Sequence, residues 1–258
     1  MSLRARGVWL RVAGFDLLAA IDLAIHPGQV TAVVGPNGAG KSSLLKVLAG
    51  DFAPSRGEVL LEDRRLAAWP ARARAQRLAV LPQQQHLEFP FTATEVVELA
   101  RLPHATGRRR DREIVAAALE AVDARYLQAR PYTQMSGGER QRVQLARVLA
   151  QVWEPCGEGG RYLLLDEPTA ALDLAHQLLA LELVRRFAAA GVGVLLVLHD
   201  LTLAVRVADQ LVVVDGGRIA ARGRPETVLD SALLAAVFGV RGRLERHPES
   251  GALQVVVW

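Results

Sequence analysis

The chain has 258 residues, 51% of them hydrophobic and 22% charged, with 31 basic against 27 acidic side chains and a formal charge of +4. That composition supplies a core and excludes a disordered chain, and the length suits one large domain, or one domain carrying a smaller subdomain. A lone cysteine, Cys156, excludes a disulfide framework, and a basic excess this modest permits a nucleic-acid partner without implying one.

In chain order, the apolar run 30–34 predicts a buried strand that breaks at Gly35, with a helix from Lys41 to Ala49 behind it. Residues 58–61 and 78–81 read as further strands. From Phe89 to Val152 the pattern turns helical, with helices expected over 94–101, 111–122 and 136–151 and a charged, solvated turn at 107–111. Strand and helix then alternate again. Strands are expected over 162–165 and 192–198, helices over 174–190 and 201–208, and a hairpin at Asp215-Gly216-Gly217. A short helix over 231–238 and two strands, 243–246 and 253–257, close the chain. Alternation of this kind implies an α/β fold with a mainly parallel sheet. We read residues 1–88 and 153–258 as its core and 89–152 as an inserted helical subdomain. The apolar runs fall short of the roughly 18 residues a membrane helix needs. Asp16 and Asp22 argue against a secretory leader, so a soluble or membrane-peripheral chain is expected.

Basic charge is almost all arginine; the only lysines are Lys41 and Lys46. Lys41 stands where a phosphate-binding loop needs one. Gly35, Pro36, Asn37, Gly38, Ala39, Gly40, Lys41 and Ser42 match G-x-x-x-x-G-K-[ST], with Ser43 following. Glycines let successive N–H groups converge on a phosphate, the next helix adds its positive end, Lys41 brings a charge to the β- and γ-phosphates, and the Ser42 hydroxyl suits Mg²⁺. The plain alternative is a glycine-rich turn capping a helix. Further on, the strand 162–165 runs into Asp166 and Glu167. Such a pair is often only a strand exit, but beside a phosphate loop Asp166 fits a metal and Glu167 a general base for water. Ser136-Gly137-Gly138 opens a long helix, as a simple cap or as a second anion-binding N-terminus.

In this order the three motifs resemble those of ABC-type ATPases, and the resemblance runs over essentially the whole chain. It implies a P-loop NTPase core with an antiparallel β portion at the N-terminus, and ATP and Mg²⁺ as cofactors. It makes Ser136, Gly137 and Gly138 a signature motif that completes the nucleotide site of a second copy, in a head-to-tail homodimer. Gln83 becomes the glutamine-loop residue that senses Mg²⁺ and the attacking water, with Gln84 or Gln85 as one-step alternatives. Asp173 falls in the loop that crosses the dimer interface, and His199 becomes the switch histidine at the γ-phosphate. Ser42, Gln83 and Asp166 are then the metal residues, and Glu167, His199 and Gln83 the catalytic ones. Two departures stand out: Met135 opens the signature where leucine is common, and Val12 occupies the position of the usual adenine-stacking aromatic, with Trp9 and Phe15 offset from it.

Within the family, stretches such as 89–97, 101–104, 145–151, 172–177 and 198–202 resemble the haem (hemin) importers of the iron-siderophore and cobalamin class. The resemblance implies two copies of a separate multi-span permease, an indirect substrate-binding protein, no nucleic acid, and a peripheral place on the cytoplasmic face of the inner membrane. A siderophore or cobalamin importer, or a soluble ATPase of iron–sulfur cluster assembly, remain the alternatives. His86, His104 and His176 invite a reading as haem ligands, but surface or interface roles fit them better.

Overall fold

The computed structural model describes every residue except 84–86, 88 and 156. The strands are β1 (Leu3–Val12), β2 (Phe15–Ile25), β3 (Val30–Val34), β4 (Arg56–Leu61), β5 (Arg64–Arg65), β6 (Leu78–Leu81), β7 (Arg161–Asp166), β8 (Val192–Val197), β9 (Gln210–Asp215), β10 (Arg218–Gly223), β11 (Gly242–Arg246) and β12 (Leu253–Val257). The principal helices are α1 (Lys41–Ala49), α2 (Ala71–Ala75), α3 (Ala93–Glu98), α4 (Arg108–Ala121), α5 (Gly137–Gln151), α6 (Leu174–Ala189) and α7 (Leu201–Val207).

A six-stranded sheet in the order β10-β9-β3-β8-β7-β6 lies at the centre. All its pairings are parallel except the β9–β10 hairpin. Both faces are covered, which is why β3, β7 and β8 read as unbroken apolar runs rather than alternating ones. The alternation survives in which face each residue serves. Val30, Ala32, Val34, Leu163, Leu165, Val194 and Leu196 join a core shared with helices α3 to α7. Val33, Leu164, Leu195 and Val197 face the opposite way, into a core shared with α1 and the N-terminal strands. Each fully buried valine or leucine among these contributes about 1.5–3 kcal/mol. The N-terminal strands form a second, wholly antiparallel sheet, β2-β1-β4-β5. The expected α/β class, mainly parallel core sheet and N-terminal antiparallel portion are all present. No helix among the described residues is long and apolar enough to cross a membrane.

Two local expectations need correction, and a third, the short helix over 231–238, is present but changes type along its length. The charged run 107–111 is no loop: Gly107 precedes the first turn of α4. Asp111 lies at the positive helix end, where a carboxylate is favoured. It also accepts from the buried Arg101 guanidinium (2.9 Å), while Arg109 and Arg110 pair with Glu113 along the helix. Residues 231–238 form a short α turn that widens into a π-helix over Leu234–Phe238 and stops at Gly239, φ +68. His104 departs from its expected surface place too. It is buried, its Nε2 lies 2.9 Å from the Gln151 carbonyl, and burial holds its pKa below the ordinary imidazole value. Gln84, Gln85, His86 and Cys156 lie outside the described residues.

Candidate active site

The phosphate loop leaves the carboxyl end of β3, in the middle of the sheet, where open α/β folds place ligands. Its glycines are fixed by close packing. A methyl group on Gly35 would sit 2.0 Å from the Val214 carbonyl oxygen, and one on Gly40 would sit 2.8 Å from that of Leu17. Both glycines have positive φ, as does Gly38, where there is space for a side chain. The floor of the loop is tied down from two directions. The Gly217 N–H, in the β9–β10 turn, donates to the Ala39 carbonyl (2.9 Å), and the Gly217 carbonyl accepts from Ala19 of β2 (2.8 Å).

Lys41 is buried, and its Nζ donates to the carbonyls of Gly35 and Pro36, each at 2.8 Å. Burial lowers its pKa, while the charges of Glu167 and Asp166 pull the other way. The ammonium is therefore held inside the loop, with carboxylates near it, poised to exchange two carbonyls for phosphate oxygens. No acidic side chain occupies the first turn of α1 and no side chain caps it. Its N–H groups are left to an anion.

Asp166 ends β7 and is 2% exposed. Burial raises its pKa first, the Ser42 hydroxyl hydrogen-bonding the carboxylate works against this, and the Glu167 charge adds to it. Its Oδ1 is buried without a hydrogen-bond partner. A buried, unsatisfied carboxylate oxygen beside a serine hydroxyl is a fit for a hard divalent cation, which takes oxygen ligands and often only one or two carboxylates from the protein.

The next residue turns the chain sharply: Glu167 has φ +53, and its N–H donates to the Val197 carbonyl (3.1 Å). Left-handed backbone is costly for a side chain of this size and concentrates at functional sites. The turn brings three of the expected residues together on one atom. Glu167 Oε1 accepts from Gln83 Nε2 at 3.0 Å and lies 2.5 Å from His199 Nε2. Gln83 follows β6, Glu167 follows β7 and His199 follows β8, so three strand ends of one sheet converge. Such a carboxylate can take a proton from water and share it with an imidazole.

The remaining expected residues stand apart from this cluster. Ser136 caps α5: its Oγ accepts from the Glu139 N–H (3.3 Å), and Glu139 accepts from the Ser136 N–H (2.7 Å). That contact holds the Glu139 carboxyl below its usual range. Gly137 and Gly138 face Ala171, and a methyl on Gly138 would lie 2.9 Å from the Ala171 carbonyl. Asp173 caps α6, accepting from the His176 N–H (2.9 Å) and lying 2.8 Å from its Nδ1. Among the described residues no hydrogen bond joins Ser136–Gly138 or Asp173 to residues 35–43.

Near the adenine-stacking position, Val12 pairs with Phe15 across the β1–β2 turn, and Phe15 is 75% exposed rather than part of a core. Trp9 lies half-buried beneath the Arg218 guanidinium. Gln141 escaped sequence reasoning. Its Nε2 donates to the carbonyls of Pro168 (3.2 Å) and Glu167 (3.4 Å), tying α5 to the strand exit. Its place four residues after Gly137, on the same helix face, was the available signal.

With this geometry in view, the chain's similarities are informative. The pattern defining the ABC transporter family matches residues 18–170. A "Hemin import ATP-binding protein HmuV" from Pseudomonas fluorescens is 54% identical over 249 residues, 96% of this chain and 97% of that protein. One of the same name from Myxococcus xanthus is 52% identical, over 97% of this chain and 94% of that one. A solved inward-facing, putative metal-chelate type ABC transporter superposes with a TM-score of 0.81 at 26% identity, covering 100% of this chain and 97% of that one. A dimeric ATP-binding cassette in a post-hydrolysis state shares the fold, with a TM-score of 0.75 at 24% identity over 86% and 98% of the two chains. A family match over more than half of the chain, and relatives about half identical over nearly all of it, show that the chain belongs to the ABC transporter family as one of its ATP-binding, ATP-hydrolysing members.

Proposed function

We propose that this chain powers hemin import as a homodimer beneath two copies of a separate multi-span permease, peripheral to the cytoplasmic face of the inner membrane. A substrate-binding protein would feed that permease, and no nucleic acid takes part. Identity above half over nearly the full length of hemin import ATP-binding proteins is the observation that carries the cargo.

The site residues suit the following division of labour. Lys41 releases the Gly35 and Pro36 carbonyls and binds the β- and γ-phosphates, with the N–H groups of residues 37–43 around them. Ser42 and Asp166 would hold Mg²⁺, with Gln83 nearby; the ion would supply positive charge to the transferring phosphoryl group. The unsatisfied Asp166 Oδ1 supports that assignment. Glu167 accepts the proton of the attacking water, and His199, sharing its Oε1, orients that carboxylate and answers to the γ-phosphate. Ser136, Gly137, Gly138 and Asp173 serve the site of the second copy, and residues 89–152 move as the unit that transmits closure to the permease.

The test is capture of membrane partners by tagged Glu167→Gln protein in ATP, followed by ATPase assay of the native complex. Recovery of a multi-span permease, and ATPase activity that rises with hemin-loaded binding protein, is expected. Recovery of soluble assembly factors alone would overturn the importer reading. Stimulation by a siderophore or cobalamin but not hemin would overturn the cargo.

A further inference from the structure

The segment from Glu167 to Asp173 leaves β7 at one nucleotide-site carboxylate and ends as the cap of α6. Ala171 within it has φ +60, a conformation that costs about 1–2 kcal/mol in a residue with a Cβ. Contacts to the start of α5 and to the helix-side core surround it. Gly138 leaves room for the Ala171 carbonyl and for nothing larger, and Leu172 is buried in the helix-side core. Gln141 donates to the Glu167 and Pro168 carbonyls and Gln177 to that of Leu172 (3.1 Å), and a further polar contact brings together residues 53 positions apart. His176 Nδ1 lies 2.8 Å from Asp173 Oδ1, and its Nε2 lies 3.3 Å from Asp123 Oδ2, in the turn after α4. Asp123 is itself in a left-handed conformation, φ +53. It is bound to α5 by Arg142, a buried guanidinium that donates to the Asp123 carbonyl, lies 3.7 Å from its carboxylate and reaches the Tyr126 hydroxyl at 2.7 Å.

An imidazole between two carboxylates serves both only when both ring nitrogens carry hydrogen. The charged groups around it are Asp173 at the α6 cap, Asp123 from the α4–α5 turn and Arg142 from α5. We propose that Asp123, His176 and Asp173 form a clasp that sets the pose of residues 169–173 against the signature helix, which makes His176 a positioning residue for the face presented to the second copy. This rests on the reading of Ser136–Gly138 and Asp173 as acting across a dimer. The clasp shares no hydrogen bond with the phosphate loop, so the chain's own P-loop does not depend on it. Its backbone cap at Asp173 survives loss of the imidazole, because that bond comes from the His176 N–H.

The test uses the full chain with Glu167→Gln, whose ATP-driven dimerisation is measured by sedimentation alone and with His176→Ala, Asp123→Asn or both. Either added substitution is expected to raise the dimer dissociation constant about tenfold. The pair together should raise it no further, because both break one clasp. His176→Gln should recover part of the loss, its amide still donating to one carboxylate. ATP affinity, measured at chain concentrations too low for dimer, should stay within about twofold. Unchanged dimerisation, additive effects, or an equal fall in monomer ATP affinity would each overturn the clasp. If Glu167→Gln alone fails to dimerise in ATP, the dimer reading falls, and the clasp's role with it.

Discussion

Two helices of this molecule begin on a glycine-rich turn, and their N-termini are built in opposite ways. At α1 the first turn holds no carboxylate, no side chain caps it, and a buried lysine is folded onto the loop's own carbonyls. At α5 a serine and a glutamate close a capping box, so part of the helix end is satisfied within the chain. The first N-terminus has unmet donors and is completed by an anion. The second is stable as it stands and can be presented, already shaped, to a ligand held elsewhere. On the dimer proposed above, the same turn chemistry would serve once to hold phosphate within a chain and once to complete the site of the other copy.

The largest effect expected on this contrast comes from the side of α1. Glu167→Gln should lower ATP turnover by about 10²-fold or more, the lower range for loss of a general base, while ATP binding persists. Phosphate release against equilibrium binding measures both, and turnover near that of the unmodified chain would remove Glu167 as the base. Lys41→Ala should weaken ATP binding by roughly ten- to a hundredfold, the scale of a lost charge-assisted contact. An unaltered affinity by calorimetry would contradict the phosphate-loop assignment.

Ser136→Ala separates the two ends. It should cost about 1 kcal/mol of thermal stability through the lost cap and leave ATP affinity of the monomer intact. Weaker ATP binding by the isolated chain would mean that the signature belongs to the chain's own site. Asp166 reverses the usual trade. Its pKa is raised in the fold, so between the unfolded value and the raised one the folded chain binds more protons. Ligand-free stability therefore falls as pH rises through that window. Asp166→Asn should remove this dependence and raise the melting temperature of the nucleotide-free chain at neutral pH, while reducing the further rise that Mg²⁺ and ATP produce. A melting series with and without both ligands decides it. Met135→Leu is the mildest change, expected to cost less than about 1.5 kcal/mol, because a buried side chain is exchanged at nearly constant volume. A larger loss in chemical denaturation would show that the thioether matters.

The strands and motifs of the core were legible because β3, β7 and β8 are buried on both faces and each runs into a candidate site residue. The meeting of Gln83, Glu167 and His199 on one oxygen followed from their order along parallel strands. What escaped is tertiary. The run 107–111 reads as loop by composition, and becomes helix because the buried Arg101, outside that run, engages Asp111. His104 reads as a surface histidine until Gln151, 47 residues away, supplies its partner. Asp173 is a different case: it reads as an interface residue, yet an aspartate directly before the expected helix start at 174 is also a local cap signal, and it caps α6.

The floor beneath the phosphate loop also bears on the order in which the molecule can assemble. β3 has β8 and β9 for neighbours, and the loop it feeds is fastened to the turn at Gly217. Pairings of such sequence separation form late, after their loop-closure entropy has been met. On the ribosome, an apolar strand made within the first 34 residues must wait for more than half the chain to be synthesised before it finds its sheet. A nascent chain released before β8 would carry the complete phosphate-loop sequence and no working pocket, with both edges of β3 unpaired.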